Sequence, residues 1–594
     1  MSSFWKSVVA TVLGLIIFVT IVSLVCCAGV VGSISSTSSA PSIKSNSVLV
    51  FNLNGMVDER GVSSPFSEIF GEEAGVLGLN DIISAIKKAK DNDDIKGIYM
   101  QFGAYSPDSW ATNQEIRKAL VDFRKSGKWI VSYADTYTQG AYYLASAGDK
   151  ILLNPEGMVD WHGIGSNPMY LKDLMAKFGV KMQLAKVGTY KSAPEMFVAE
   201  KMSDANREQT MAYITGIWNQ VVNDVSASRK ISPEQLNEYA DRLIAFDDPK
   251  DVLKTKMIDK LVYADEVKKE IKQLLGLDDD ESINQVTMAT INSLETDESG
   301  DEIAVYYAYG DIVQSSTEQN ILGGGQNMIV GEDLVSDFAD LAADDDVKAV
   351  VIRVNSGGGS AYASEQIWRA IELLKKKKPV VISMGGMAAS GGYYMSCNSD
   401  WIVAEPTTIT GSIGIFGMFP DFSELMTQKL GIKYDEVKTN KNSTFGNSFV
   451  RPFNSEEMAM LEKYVQRGYE TFIKRVGDGR KMTRQQVDSI GQGHVYTAAD
   501  AMKIKLVDEL GGLDEALKKA ASLAKLDKYQ RKEYPAQKEW YEDLLNNTKT
   551  NSNTLLDDKM RATLGELYQP FMLMKSIRNQ DAIQARIPYV LNIN

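Results

Sequence analysis

The chain has 594 residues, of which 44% are apolar and 24% charged, a globular balance that excludes wholesale disorder and a polytopic membrane protein. Asp and Glu number 78 against 64 Lys and Arg, a formal net charge of -14, so nucleic acid is not an expected partner. With 3 cysteines and 2 histidines there is no disulfide framework and no Cys-based zinc site; no cofactor or metal is expected, and a hydrolytic mechanism must recruit His162, His494 or another base, with lysine the first place to look.

In chain order, the first element is the run Val8–Val31, uncharged throughout. As a helix rising about 1.5 Å per residue it reaches about 36 Å, enough to span a hydrocarbon core of about 30 Å with some tilt. A cleaved signal peptide is the alternative, but the run exceeds the roughly 7–15 apolar residues of a signal segment. Cys26 and Cys27 read as membrane-facing packing, because the residues before them are too large for a lipidation site. The organisation predicted is an anchor at 1–32 and a Ser-rich tether at 33–46, with the globular body exported.

The body is a tandem duplication, 47–296 and 300–545, followed by a tail at 546–594. DDIKGIYMQF (93–102) parallels DDVKAVVIRV (345–354), and QEIRKAL (114–120) parallels EQIWRAI (365–371). TQGAYYLAS (138–146) falls against ASGGYYMSC (389–397), each pair offset by about 250 residues. Such internal similarity marks two copies of one structural unit. Within the second copy, AVVIRV (349–354) and PVVISM (379–384) are buried-strand runs, and Ile367, Ile371 and Leu374 recur between them at helical spacing. Strand, helix, strand predicts βαβ units on a parallel sheet. Lys375–Lys378 before Pro379 reads as a solvated turn ending that helix, and Gly323–Gly325 as a mobile loop, since no Lys-Ser/Thr follows to make a phosphate cradle. The tail, including IPYVLNIN, has no assigned role; packing at a subunit edge is one guess.

Two loops carry candidate chemistry. RVNSGGGS (353–360) runs from a strand through glycines into a helix, where N–H groups can face a reacting oxygen unobstructed by Cβ atoms. GGMAASGGYY (385–394) can present Ser390 on a tight turn at a strand end, with the Gly391 N–H completing an oxyanion hole. Each loop alone is equally a structural turn. The first copy supplies the contrast: QFGAYSPDS (101–109) lacks the Gly-Gly, and Gln139 faces Ser390. That copy holds VGTYKS (187–192), making Lys191 a candidate base, while VKTNKN (437–442) puts Lys441 near the equivalent position in the second copy.

The motifs GTYKSAPE (188–195), MAASGGYY (387–394), TITGSIGIFG (408–417) and QGHVYTAADAMKIKLVD (492–508), in this order after an anchor, make residues 4–530 resemble the signal peptide peptidase A family, also called protease IV, in its long tandem form. The resemblance implies an α/β fold of tandem crotonase/Clp-protease-like domains behind a transmembrane helix. It implies Ser390 as nucleophile and Lys191 as general base, a Ser-Lys dyad assembled between the copies. It further implies Ser412 as the group orienting the amine, and the N–H groups of Gly358, Gly359 and Gly391 as oxyanion donors. The family usually has Pro where Gly357 stands, which affects loop stiffness but no donor.

Also implied are peptide substrates, notably cleaved signal peptides, a homotetramer, and a bacterial inner-membrane location with the catalytic body on the periplasmic side. Lys441 is the rival base. His494 reads as a structural hydrogen-bonding residue, and His162 as filler of the turn aligned with TGSIG. Two other functions fit the fold: a crotonase-type acyl-CoA enzyme, which needs neither Ser390 nor Lys191, and a catalytically silent membrane scaffold.

Overall fold

The computed structural model describes residues 43–61, 76–294, 299–315, 327–536 and 583–587. The predicted anchor, the Gly323–Gly325 loop and most of the tail lie outside the described residues. Among those described, no helix is long and apolar enough to cross a membrane.

The first copy contributes strands β1 (Ser47–Asp58), β2 (Leu77–Gly78), β3 (Ile95–Pro107), β4 (Trp129–Tyr137), β5 (Lys150–Val159), β6 (Lys181–Lys186), β7 (Lys260–Leu261) and β8 (Asn284–Thr287). Its helices that matter here are α1 (Leu79–Asp91), α2 (Trp110–Arg124), α3 (Gln139–Ala145) and α4 (Asp204–Arg229). All its strands except β6 form one sheet in the order β2-β1-β3-β4-β5-β7, with β8 also on β1. Every ladder in it is parallel. Runs such as Ile130–Val131 and Ile151–Leu153 are wholly buried, as expected of strands covered on both faces.

The second copy repeats the plan. Its strands are β9 (Asp301–Tyr309), β10 (Asp311–Val313), β11 (Met328–Val330), β12 (Val347–Ser356), β13 (Gly358–Ser360), β14 (Val380–Ala389), β15 (Trp401–Ala404) and β16 (Ile409–Gly411). They are followed by β17 (Phe416–Asp421), β18 (Val495–Thr497), β19 (Glu509–Leu510), β20 (Tyr529–Tyr534) and β21 (Ile583–Arg586). The relevant helices are α5 (Gly331–Ala343), α6 (Ala361–Lys375) and α7 (Gly391–Ser396). The main sheet runs β18-β16-β14-β12-β9-β20, with β15 between β14 and β19. The two predicted apolar strands lie in β12 and β14, and Ile367, Ile371 and Leu374 form the buried stripe of α6, which Ser360 caps by accepting the Ala363 N–H. The lysine run does end that helix, but Lys378 is not merely solvated: its amine donates to the Leu341 carbonyl at the end of α5.

A third, mixed sheet joins the copies, in the order β11-β10-β13-β21-β17-β6. Strand β6 leaves the first copy and pairs antiparallel with β17 of the second, from Phe416 against Lys186 to Asp421 against Lys181. Around it the copies interlock through polar side chains of α2. Gln114 Oε1 accepts the Thr407 N–H and hydroxyl, and Glu115 accepts the Leu513 N–H. Arg353 on β12 is buried between two carboxylates of the first copy, Glu59 at 2.8 Å and Glu115 at 2.5 Å. Burial pushes the Glu59 carboxyl up to about 7 against the pull of Arg353. Burial alone would lower the guanidinium, yet the two carboxylates hold it above its ordinary value.

Removing the cation from such a triad strands two buried carboxylates, a loss of about 3–5 kcal/mol. Arg353→Met is therefore expected to lower the thermal unfolding midpoint and to expose the connection near residues 288–300 to limited proteolysis. An unchanged midpoint and digestion pattern would mean that the triad does not hold the copies together.

Candidate active site

Strand β14 ends at Ala389 and α7 begins at Gly391, leaving Ser390 at the junction with φ 54° and ψ −110°. This left-handed conformation is unusual for a residue with a Cβ and costs on the order of 1–3 kcal/mol. It is held from both sides, because the Ser390 N–H donates to the Gly411 carbonyl and the Ser390 carbonyl accepts the Tyr394 N–H. At the matching turn of the first copy Thr138 has φ −63° and caps α3 through its side chain. Ser390 makes no such cap, so its hydroxyl is left for other contacts.

Those contacts come from the other copy. Five residues beyond β6, Lys191 reaches the end of β14 and its amine lies 2.7 Å from Ser390 Oγ. The same amine contacts the Ser412 carbonyl at 3.2 Å and Ser412 Oγ at 3.0 Å. Lys191 is 1% exposed and Ser390 fully buried. All three partners of the amine are uncharged, and burial alone drives its pKa well below the ordinary lysine value. A carbonyl can only accept, so one amine hydrogen is committed to Ser412. In its neutral form an amine has two hydrogens and one lone pair, so an amine giving both hydrogens to Ser412 would turn its lone pair to the Ser390 hydroxyl.

Backbone glycines make room for this lysine. A Cβ on Gly493 would come within 2.5–2.7 Å of the Lys191 backbone and Cβ, and one on Gly414 within 3.2 Å of its Cδ. Gly493 and Gly414 belong to the QGHVYTA and TGSIG segments, which thus form the walls of the amine's slot. Sequence reasoning did not single out either glycine; their signal was their presence in two of the motifs that carry the family resemblance. Ser412 also has positive φ, 51°, and its N–H donates to the His494 carbonyl at 2.7 Å. The imidazole of His494 is packed between Tyr190 and Tyr496, so this histidine serves the site through its backbone.

Of the three predicted oxyanion glycines, Gly391 starts α7 and Gly358 and Gly359 lie opposite it on β13. The Gly358 N–H is donated to Ser356 Oγ at 3.1 Å and is therefore turned inward. Gly359 and Gly391 remain as the candidate oxyanion donors. Gly357 needs no special conformation, and its Cβ position abuts only Met387 and Ile587 at 3.2 and 3.4 Å.

In the first copy the corresponding space is closed. The Gln139 side chain accepts the N–H groups of His162 and Gly163 and donates to the Gly163 carbonyl. His162 itself lies at that turn, its Nδ1 2.7 Å from Asp160. Lys441 is exposed and ion-paired with Glu456, and is not brought to Ser390. Cys397 is a buried free thiol that burial pushes up to about 12. Among the described residues no cluster of three or more His, Cys, Asp or Glu is arranged to hold a metal.

The model of Peptidase family S49 matches twice, at residues 122–278 and 372–527. The two matches are offset by 250 residues, the spacing of the internal repeat. The chain belongs to peptidase family S49. The Clp protease family model also matches, at residues 307–400, the stretch that carries β12, the glycine loop and Ser390. Among curated relatives, Protease 4 of Salmonella typhi is 36% identical over 532 residues, 87% of this chain and 83% of the relative. Protease 4 of Haemophilus influenzae is 33% identical over 548 residues, 88% and 85% of the two chains. The chloroplastic serine protease SPPA of Arabidopsis thaliana is 28% identical over 480 residues, 80% and 69%. This S49 member is accordingly a serine protease, a hydrolase of mixed α/β fold with tandem S49 units and Clp-protease-like similarity.

The lowered Lys191 pKa has a stability consequence. Between that pKa and about 10.5 the unfolded chain binds a proton that the folded chain does not, so this group's contribution to stability rises with pH across the window. Lys191→Met removes the penalty. It is expected to raise the thermal midpoint at pH 7 relative to the parent, with the gain shrinking towards pH 10. A midpoint lowered at pH 7 would show that the amine is not held neutral.

Proposed function

We propose that this S49 member is a membrane-anchored endopeptidase that uses a Ser390–Lys191 dyad to hydrolyse hydrophobic peptides, notably signal peptides already cleaved from their proteins. The observation that carries this reading is the 2.7 Å contact between a buried lysine amine and the hydroxyl of a serine whose backbone has positive φ. In the proposed cycle Lys191 accepts the Ser390 proton as the hydroxyl attacks a peptide carbonyl. The tetrahedral oxyanion sits against the N–H groups of Gly391 and Gly359. Lys191 then returns the proton to the departing amine, and the acyl-enzyme is hydrolysed by water that gives up a proton to the same amine. Ser412 is a positioning residue that holds the two amine hydrogens and so directs the lone pair.

The uncharged run Val8–Val31 supports single-pass anchoring in the bacterial inner membrane, with the body on the periplasmic side, where remnant signal peptides are at hand. Assembly as a homotetramer is carried over from the family resemblance, and light scattering of the detergent-solubilised chain tests it.

The dyad is tested on a chromogenic peptide. Ser390→Ala is expected to abolish turnover and Lys191→Ala to lower kcat/KM by about 10²–10⁴-fold, whereas Lys441→Ala stays within about twofold of the parent. Parent-like activity in Lys191→Ala, or loss in Lys441→Ala, would move the base elsewhere.

The pH dependence follows from the same amine. A protonated Lys191 has no lone pair, so kcat/KM is expected to rise with pH through a single ionisation below 10.5, the direction of its shift. A profile that is flat, or that falls across this range, is incompatible with a lysine base.

A further inference from the structure

Lys191 stands in a stretch with no strand pairing of its own, between the end of β6 at Lys186 and the short helix that starts at Glu195. A buried polar side chain of α4 reaches the residues on either side of it. Gln209 is 1% exposed, and its Nε2 donates to the Tyr190 carbonyl at 2.9 Å and to Ser192 Oγ at 3.0 Å. Its Oε1 accepts the Val495 N–H at 3.2 Å. One carboxamide therefore grips the chain immediately before and after the lysine and ties it to β18 of the second copy. Val495 follows Gly493, which walls the amine's slot, and His494, whose carbonyl accepts the Ser412 N–H. Lys191 and Ser412 are thus both tied to this side chain.

Only one orientation of the carboxamide serves these partners. A carbonyl can only accept and a backbone N–H only donate, so Nε2 must face Tyr190 and Oε1 must face Val495. Asn206, one turn earlier on α4 and fully buried, gives Gln209 Nε2 a longer contact at 3.3 Å and donates to Glu195 Oε2 at 3.0 Å. Glu195 also accepts the N–H and hydroxyl of Ser203, the residue that caps α4. The GTYKSAPE segment is therefore bound to the start of α4 from Tyr190 to Glu195. Polar groups buried on a helix face cost stability unless each is satisfied, which makes this a demanding way to build α4. The internal repeat supplies the contrast. Helices α4 and α8 (Ser455–Arg480) are both 26 residues long, and each is followed by a lysine in the left-handed conformation. Superposing them puts Met460, 46% exposed, in the place of Gln209. The helix that serves no buried lysine has no carboxamide there.

Building on the dyad proposed above, we infer that Gln209 is a positioning residue for Lys191: it fixes the backbone on both sides of the lysine and so sets where the amine meets Ser390. A misplacement on the order of 1 Å at a reacting group can lower turnover by about 10²-fold. Because Gln209 acts on the backbone and not on the amine, its loss reaches the reaction through kcat and leaves KM alone.

Steady-state kinetics on a chromogenic peptide test this, with kcat expressed per site titrated to completion by a serine-directed acylating probe, so that misfolded chains are not counted. Gln209→Met, similar in length but able neither to donate to Tyr190 nor to accept from Val495, is expected to lower kcat about 10–100-fold at every pH, with KM within about twofold of the parent. Gln209→Glu keeps the acceptor for Val495 and, while protonated, one donor for Tyr190; once ionised it sets an oxygen against the Tyr190 carbonyl. The ratio of its kcat to that of the parent is therefore expected to fall as pH rises through the buried carboxyl's ionisation. This second variant carries the test should Gln209→Met fail to fold. Parent-like kcat per site in Gln209→Met, a loss confined to KM, or a Gln209→Glu ratio that is flat with pH would overturn the inference. Lys191→Ala, assayed alongside, separates it from the reading beneath it. Parent-like activity in Lys191→Ala overturns the dyad itself, whereas an inactive Lys191→Ala beside parent-like Gln209 variants removes the positioning role alone.

Discussion

The proposed chemistry turns on keeping one amine uncharged. A lysine in water is protonated at neutral pH, and a protonated lysine touching a serine does nothing to activate it. Here the amine is enclosed by neutral partners alone: a hydroxyl at the end of β14, and the carbonyl and hydroxyl of Ser412. An aspartate in the same place would raise the amine's pKa and undo the arrangement. The scarcity of charge around Lys191 is thus as much a part of the chemistry as the lysine.

Dryness of this kind is easier to build between two bodies than on the surface of one. The amine arrives from the first copy on the extension of β6, and the hydroxyl from the second. The interface bringing them together is itself closed by Arg353, Glu59, Glu115, Gln114 and Thr407, all nine-tenths or more buried. Duplication allowed this division of labour. The first copy retains the strand-turn-helix that would present a nucleophile, yet Gln139 spends its side chain on His162 and Gly163 and fills the turn. In the proposed dyad, what the first copy contributes is a wall and a base.

Much of this was legible in the residues. The duplication, the parallel sheets, the strands around AVVIRV and PVVISM, and the placement of Ser390 at a strand-helix junction follow from periodicity and from glycine placement, which are local signals. The third sheet was not legible. KMQLAK at 181–186 is short and half polar, with nothing to mark it as the partner of FGMFPD more than two hundred residues away, because pairing of this kind depends on the assembled fold. Likewise IQAR reads as unremarkable tail, and only its register against Gly358–Ser360 gives it meaning. The inward turn of the Gly358 N–H also escaped sequence reasoning, since a run of three glycines says nothing about which one a neighbouring serine will engage.

The mixed sheet also explains how the Lys191–Ser390 distance is set so closely. Catalytic groups must be held to about 0.5 Å, and a long, flexible lysine is a poor choice for this unless its backbone is fixed. The β6–β17 ladder supplies that fixation. It pairs six residues on each strand, ends at Lys186 five residues before Lys191, and on the facing strand starts at Phe416 four residues after Ser412. A slip of one residue would reverse which face each side chain of β6 occupies, carrying the buried Ala185 outward, so the register has one favourable setting. The same ladder therefore places both the proposed base and the residue proposed to aim it, because Lys191 and Ser412 are measured from one pair of strands.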